Sequence, residues 1–441
     1  MFIIPLLFLA LGTCGATNST CDVYPPSRLP TQDPWYTMPD GATCSEAGSP
    51  GTVLRLRRAP HETLHAMNGT KAAWNILYCT TDSNNKPTFA VTTVLIPDNS
   101  TVDSMVTYHV AYDSPNIDQS PSYIMNDLQT SPTDQKVQMP LFFDQGWVIN
   151  LPDYEGPTAS LGSGHMSGQA SLDSIRAVLN TKETLELKSQ IQLALYGYSG
   201  GAFAAGWAAV LQPAYAPELL ITGTALGGLP ANMTDVVLAV NKQPPAAIVD
   251  VAFLGWSQQH TEFNSTMREQ LEKSGGSNTT TFLSGLYEGL STIAPKFANQ
   301  DMSKYFADGF AWLHQASIQK MLKHDVEFGP QPTPRMPLFI FHSTNDTQSP
   351  FESTNELVTR YCDDGASLDF LRNSYGDHNL EAYIHVYEAI EWIYGILNHP
   401  RNSSSHCTTR DVYQELDKSI RDRITSALAR LGLPTNISSV S

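Results

Sequence analysis

The turn Gly197-Tyr198-Ser199-Gly200-Gly201 joins an apolar run at 191–196 to a stretch of small residues at 202–211. Nothing else in the chain limits the possible folds so tightly. A strand that becomes a helix within so few residues brings the helix backbone against the strand. That close approach calls for glycine on both sides of the serine. The turn holds the Ser199 hydroxyl clear of the surface, beside the first N–H groups of the helix. A hydroxyl placed there is suited to attack a carbonyl carbon. The plain alternative is a tight turn without chemistry, and the agreement of strand, turn and helix argues against it.

Around this turn the chain alternates. Segments rich in β-formers at 52–56, 72–78, 88–96 and 104–111 are separated by Pro, Gly, Asn and Asp. A helix end and a strand follow at 142–150, then an amphipathic helix at 171–180 capped by Ser171. Later strands are expected at 220–226, 337–342 and near 370–375, with an apolar helix at 382–397 and a charged amphipathic helix at 411–431. Alternating strands and helices build a mostly parallel sheet covered on both faces. With the serine turn, this spells an α/β-hydrolase fold. Residues 231–334 break the pattern and read as helices rich in aromatic rings. Inserted between two strands, they are expected to form a helical lid, with some of the rings lining an apolar pocket. The hydrolase core then comprises 17–230 and 335–441, including an irregular N-terminal arm.

A serine hydroxyl barely ionises at neutral pH, so it needs a base. In this fold the acid and then the histidine follow the serine in chain order, each just beyond a strand. Asp346 follows the strand at 337–342, within His342-Ser343-Thr344-Asn345-Asp346. Asp363, Asp364 and Asp377 are its rivals, and a turn-capping role is the plain reading of any such aspartate. His378 lies between the strand near 370 and the helix at 382–397; His385, His399 and His406 are less well placed. The oxyanion needs N–H donors, and the Gly200 backbone supplies the first. The second is expected from the Tyr112-Asp113-Ser114 loop, through the Asp113 backbone N–H or a protonated Asp113 side chain. Asn345 opens a sequon beside the acid, and that sequon is expected to be unused or to point away from the pocket.

The net charge is −17, from 26 Lys and Arg against 43 Asp and Glu. So acidic a chain repels phosphate backbones and anionic membranes, so nucleic acid is not an expected partner. The apolar N-terminus reads as a secretory signal peptide, 1–16, too short for an ordinary membrane span. Sequons at Asn18, Asn68, Asn99, Asn232, Asn264, Asn278, Asn402 and Asn436, besides Asn345, agree with secretion. Cys362 and Cys407 stand apart near the C-terminus and are expected to pair, while Cys21, Cys44 and Cys79 share one further bridge. No metal-ligand spacing or dinucleotide fingerprint occurs, so no metal and no cofactor are expected. The expected partner is a small-molecule ester or lipid, with no stable membrane insertion and a monomeric chain.

The motifs Tyr108–Ser114 (YHVAYDS), DYEG from Asp153, LYGYSGGA from Leu195, YAPEL from Tyr215, HSTND from His342 and GDHNLEA from Gly376 resemble those of the fungal secretory lipases. That group is typified by lipase A of Candida antarctica, and the likeness runs from Asp33 to at least Cys407. It implies Ser199, Asp346 and His378 as a triad, Asp113 in the oxyanion hole, a lid over an acyl-binding tunnel and a bond between Cys362 and Cys407. The family's C-terminal hairpin flap is not matched, which weakens the case for a long acyl tunnel. The family also includes secreted acetylesterases of bulky metabolites, such as trichothecene C-3 esterases. The reading is a secreted carboxylic ester hydrolase, a lipase or broad esterase ahead of an acetylesterase. A serine peptidase and a catalytically dead binding protein stand behind these.

Overall fold

Parallel strands at the centre of a sheet bury both faces, and β6 (Gln192–Tyr198) has that character, with every residue after Gln192 buried. The computed structural model describes residues 24–128, 134–274, 279–399 and 406–435. Among them, β6 lies within a sheet with β1 (Val53–Arg58), β2 (Thr70–Thr81), β3 (Pro87–Pro97), β4 (Ser104–His109), β5 (Val148–Pro152), β7 (Ile221–Gly227), β8 (Leu338–Ser343), β9 (Ser367–Asn373) and β10 (His406–Val412). The order is β1-β2-β3-β5-β4-β6-β7-β8-β9-β10. The first three pair antiparallel, as does β3 with β5, and the remaining pairs are parallel. Successive residues of β6 face opposite layers. Leu195 packs with Phe203 and Trp207 on one side, and Tyr196 with Phe142 and Ile393 on the other.

Helix α1 (Gly164–Asn180) begins well before the expected start at 171. Ser171 is therefore interior and not a cap; its hydroxyl donates to the Ser167 carbonyl at 2.6 Å and meets His109 Nε2 at 2.9 Å. Helix α2 (Gly200–Tyr215) starts directly from the serine turn and packs along α1. Between β7 and β8 the chain forms α3 (Met233–Val240), α4 (Ala247–Gln259), α5 (Thr261–Lys273), α6 (Leu290–Phe297) and α7 (Ala316–Asp325), joined by shorter helical turns. This helical insertion resembles a lid. Its rings pack on one another: Phe253 lies 5.4–5.8 Å from Trp256, Phe263, Phe306, Phe310 and Trp312.

After β8 come α8 (Phe351–Asp363), α9 (His378–Ile384), α10 (Val386–Asn398) and α11 (Lys418–Arg430). The apolar helix expected at 382–397 is two helices, α9 and α10, which meet at His385. The charged helix expected from 411 starts only at Lys418, because Asp411 and Val412 belong to the edge strand β10. Disulfides join Cys44 to Cys79 and Cys362 to Cys407. The segment 1–16, Cys21 and the sequons at Asn18, Asn278, Asn402 and Asn436 lie outside the described residues. Asn68 and Asn99 are exposed and Asn264 is half-buried. Asn232 caps α3, its side-chain oxygen accepting from the Thr234 and Asp235 N–H groups.

Candidate active site

Ser199 stands at the sheet's C-terminal edge with φ 53° and ψ −124°, a strained conformation for a residue with a side chain. The turn is tight enough to exclude a Cβ on either side. One on Gly197 would sit 2.1 Å from the Gly201 carbonyl oxygen, and one on Gly201 2.0 Å from that of His109. The strain is held by β7, whose Gly227 carbonyl accepts from the Ser199 N–H at 2.9 Å.

His378 is the first residue of α9, where Asp377 caps the helix by accepting from the Asn379 and Leu380 N–H groups. Its Nε2 lies 2.8 Å from Ser199 Oγ, and its Nδ1 lies 2.6 Å from Asp346 Oδ2. The Tyr198 hydroxyl donates to the His378 carbonyl at 2.5 Å and so ties the serine turn to the histidine. Asp346 is buried in the loop after β8, where its Oδ1 accepts from the Gln348 N–H at 2.9 Å and the Ser349 N–H at 2.8 Å. Burial pushes the Asp346 carboxyl up, but the charges and hydrogen bonds of His378 and His342 outweigh it and hold it below the usual carboxylate range. Burial likewise lowers His378, and the carboxylates of Asp346, Asp113 and Asp377 more than reverse this, so its imidazole is raised.

β4 ends at His109, and Asp113 lies beyond it in a loop with φ 42°. Its Oδ1 reaches over the start of α2, 2.1 Å from where a Cβ on Gly200 would sit. Burial raises the Asp113 carboxyl to about 6, with His378 pulling it the other way. The structure thus brings Ser199, Gly200, Asp113, Asp346 and His378 together. It leaves out the rival residues: Asp377 is a cap, Asp364 pairs with Arg360 at 3.2 Å, and His385 faces Glu381 at 2.7 Å. Asn345 is exposed, and its amide Nδ2 donates to the Ser374 carbonyl at 3.0 Å. Sequence reasoning missed Tyr198, His342 and the Gln348 and Ser349 amides. The spacing of His342, four residues before Asp346, was the one signal available for it.

From Ser199 a narrow slot runs under the insertion. Its walls are Leu161, Phe203, Pro230, Met233 and Val236 of α3, and Ile248 and Val251 of α4, with Gln348 and Ser349 from the Asp346 loop. The aromatic rings of the insertion do not line it, contrary to expectation. They fill the insertion's own core, and aliphatic side chains face the serine. Among the described residues no helix is long and apolar enough to cross a membrane.

The sequence profile described as Secretory lipase matches residues 125–402. The chain is similar to the trichothecene C-3 esterase of Fusarium sporotrichioides, 35% identical over 92% of both chains. It is also similar to a probable trichothecene esterase of Stachybotrys chartarum, 32% identical over 95% of this chain and 89% of that one. Among solved structures it resembles Candida antarctica lipase A, with a TM-score of 0.77 at 25% identity, covering 91% of this chain and 95% of that one.

Proposed function

The chain belongs to the secretory lipase family and is a secreted serine hydrolase of carboxylic esters, and we propose that Ser199, His378 and Asp346 carry that hydrolysis on a small ester whose apolar acyl group lies in the slot beneath α3 and α4. His378 Nε2 takes the Ser199 proton as Oγ attacks the ester carbonyl. Asp346 holds the Nδ1–H tautomer and stabilises the imidazolium that forms. The same proton passes to the leaving alcohol, and water then repeats the cycle on the acyl-enzyme. The developing oxyanion is met by the backbone N–H of Gly200 and by the Asp113 loop. The backbone N–H of Asp113 serves at any pH, whereas its carboxyl can donate only while protonated, below about 6. The working unit is a monomer, which light scattering in solution tests.

The observation that carries this reading is the unbroken hydrogen-bonded chain Asp346–His378–Ser199 at the mouth of an apolar slot. The test compares wild type with Ser199→Ala on esters from acetyl to long-chain acyl, each with a small and a bulky alcohol. The alanine variant is expected to lose activity on all of them by about 10⁵-fold or more. Equal activity of the two proteins overturns the assignment.

A second reading is an acetylesterase acting on a bulky alcohol such as a trichothecene. It is favoured by the two esterase relatives, which align along nearly the whole chain. The alcohol would then carry the bulk, and the same substrate series would peak at acetyl esters of large alcohols.

A further inference from the structure

A second buried histidine touches the carboxylate that orients His378. His342 is fully buried near the end of β8, with Nε2 3.2 Å from Asp346 Oδ2 and 2.9 Å from the Ser349 carbonyl oxygen. Both partners only accept, so Nε2 must carry a proton; it is directed at the Ser349 carbonyl, with Asp346 Oδ2 alongside at 3.2 Å. His342 Nδ1 is buried with no hydrogen-bond partner among the described residues. A proton on Nε2 therefore serves the contacts the ring makes, whereas one on Nδ1 would serve none.

We propose that His342 is a positioning residue for ester hydrolysis, whose Nε2–H fixes the Asp346 carboxylate and offsets part of the negative charge that His378 feels. The proposal rests on the triad reading above. Asp346 then has both oxygens engaged: Oδ1 accepts from the two backbone amides, and Oδ2 is bonded to His378 Nδ1 with His342 Nε2 3.2 Å away. His378 is held at one angle, and its basicity is set between that of a free imidazole and one facing an unshared carboxylate. Arg372 is in register with His342 on β9, and its guanidinium is paired with Asp411. The Phe351 ring of α8 packs edge-on at 5.9 Å.

Removing the donor leaves more charge on Oδ2 for His378 alone, which raises the His378 pKa. Since the base must be neutral, the acid limb of the kcat/KM profile moves to higher pH. His342→Phe keeps the ring volume and His342→Asn keeps polarity, but neither presents a donor at the Nε2 position. Both are expected to move the limb up by about half to one pH unit and to lower kcat about three- to tenfold. His342→Gln, whose terminal amide reaches the Nε2 position, is expected to bring the limb back towards wild type. Thermal melts establish that each variant is folded, and if the Phe variant is not, the Asn variant decides. An unmoved or lowered limb in the folded donor-less variants overturns the proposal, as does a Gln variant that shifts as far as they do. Ser199→Ala is assayed alongside: activity there topples the triad reading itself, whereas an inactive Ser199→Ala with an unmoved His342 limb topples this inference alone.

Discussion

Asp346 collects its polar contacts from three directions: the loop amides of Gln348 and Ser349, His342 on β8 and His378 on α9. A buried carboxylate is stable only with such support, and here the support also fixes which histidine nitrogen faces the serine. Asp346→Asn keeps the shape but can turn an N–H towards His378, which then offers Ser199 the wrong tautomer. It is expected to cost about 10⁴-fold in kcat with little change in the melting temperature, measured by steady-state kinetics and calorimetry. The direction of the His378 shift gives a second expectation. Because its pKa is raised, hydrolysis falls as the pH drops through a midpoint above the ordinary value of 6.5. A pH profile of kcat/KM with a midpoint well below that value would contradict this assignment.

At the scale of elements, the slot is built from one helix of the core and two of the insertion. Ile248 on α4 lines it and is only half-buried, so a larger ring can be accommodated there. Ile248→Phe is expected to lower kcat/KM for long acyl esters by about tenfold or more, a loss of roughly 1.4 kcal/mol of transition-state stabilisation, and to spare acetyl esters. If the slot holds the alcohol instead, the discrimination appears in an alcohol series and not in an acyl series. The central elements were legible in the sequence because their signals are local: the glycines of the serine turn, and an acid and a histidine each following an apolar strand. The elements that were misread depend on distant partners. The start of α1 contains Gly164 and Gly168, poor helix formers by themselves; Trp207 of α2 packs against them, 2.0 Å and 2.8 Å from where their Cβ atoms would lie. The sequence of β10 is polar and the strand is exposed, so nothing in its own pattern marks a strand. It is one by virtue of parallel pairing with β9 and the bond from Cys407 to Cys362 on α8. Cys407→Ser is therefore expected to lower stability by about 2–4 kcal/mol and to strip hydrogen-exchange protection from β10 before the rest of the sheet.

Across the whole molecule, buried carboxyl groups fall into two sets that oppose each other with pH. Asp325 at the end of α7 joins the insertion to the core, with His165 of α1 at 2.9 Å and His260, ahead of α5, at 2.8 Å. Burial raises this carboxyl, but the two histidines outweigh it and bring it down to about 2. A carboxyl depressed on folding stabilises the protein above its unfolded value near 3.8, and that contribution is lost as the pH falls towards 2. Asp153, Glu155 and Asp250 behave oppositely. Burial raises Asp153 to about 7 and Glu155 and Asp250 well above their usual values, and among the described residues no oxygen of the last two carboxyls has a hydrogen-bond partner. These groups bind protons in the folded state that the unfolded chain has already released. Stability therefore falls as the pH rises from about 4 towards 7, by up to about 1.4 kcal/mol per pH unit for each group. The net charge of −17 adds self-repulsion in the same direction. The melting temperature is accordingly expected to peak at about pH 4 and to decline towards both pH 2 and pH 8. Asp250→Asn removes one raised group and should gain more stability at pH 8 than at pH 5. A melting temperature that stays flat from pH 5 to 8, with the asparagine variant parallel to wild type, would show that these carboxyls ionise in place without cost.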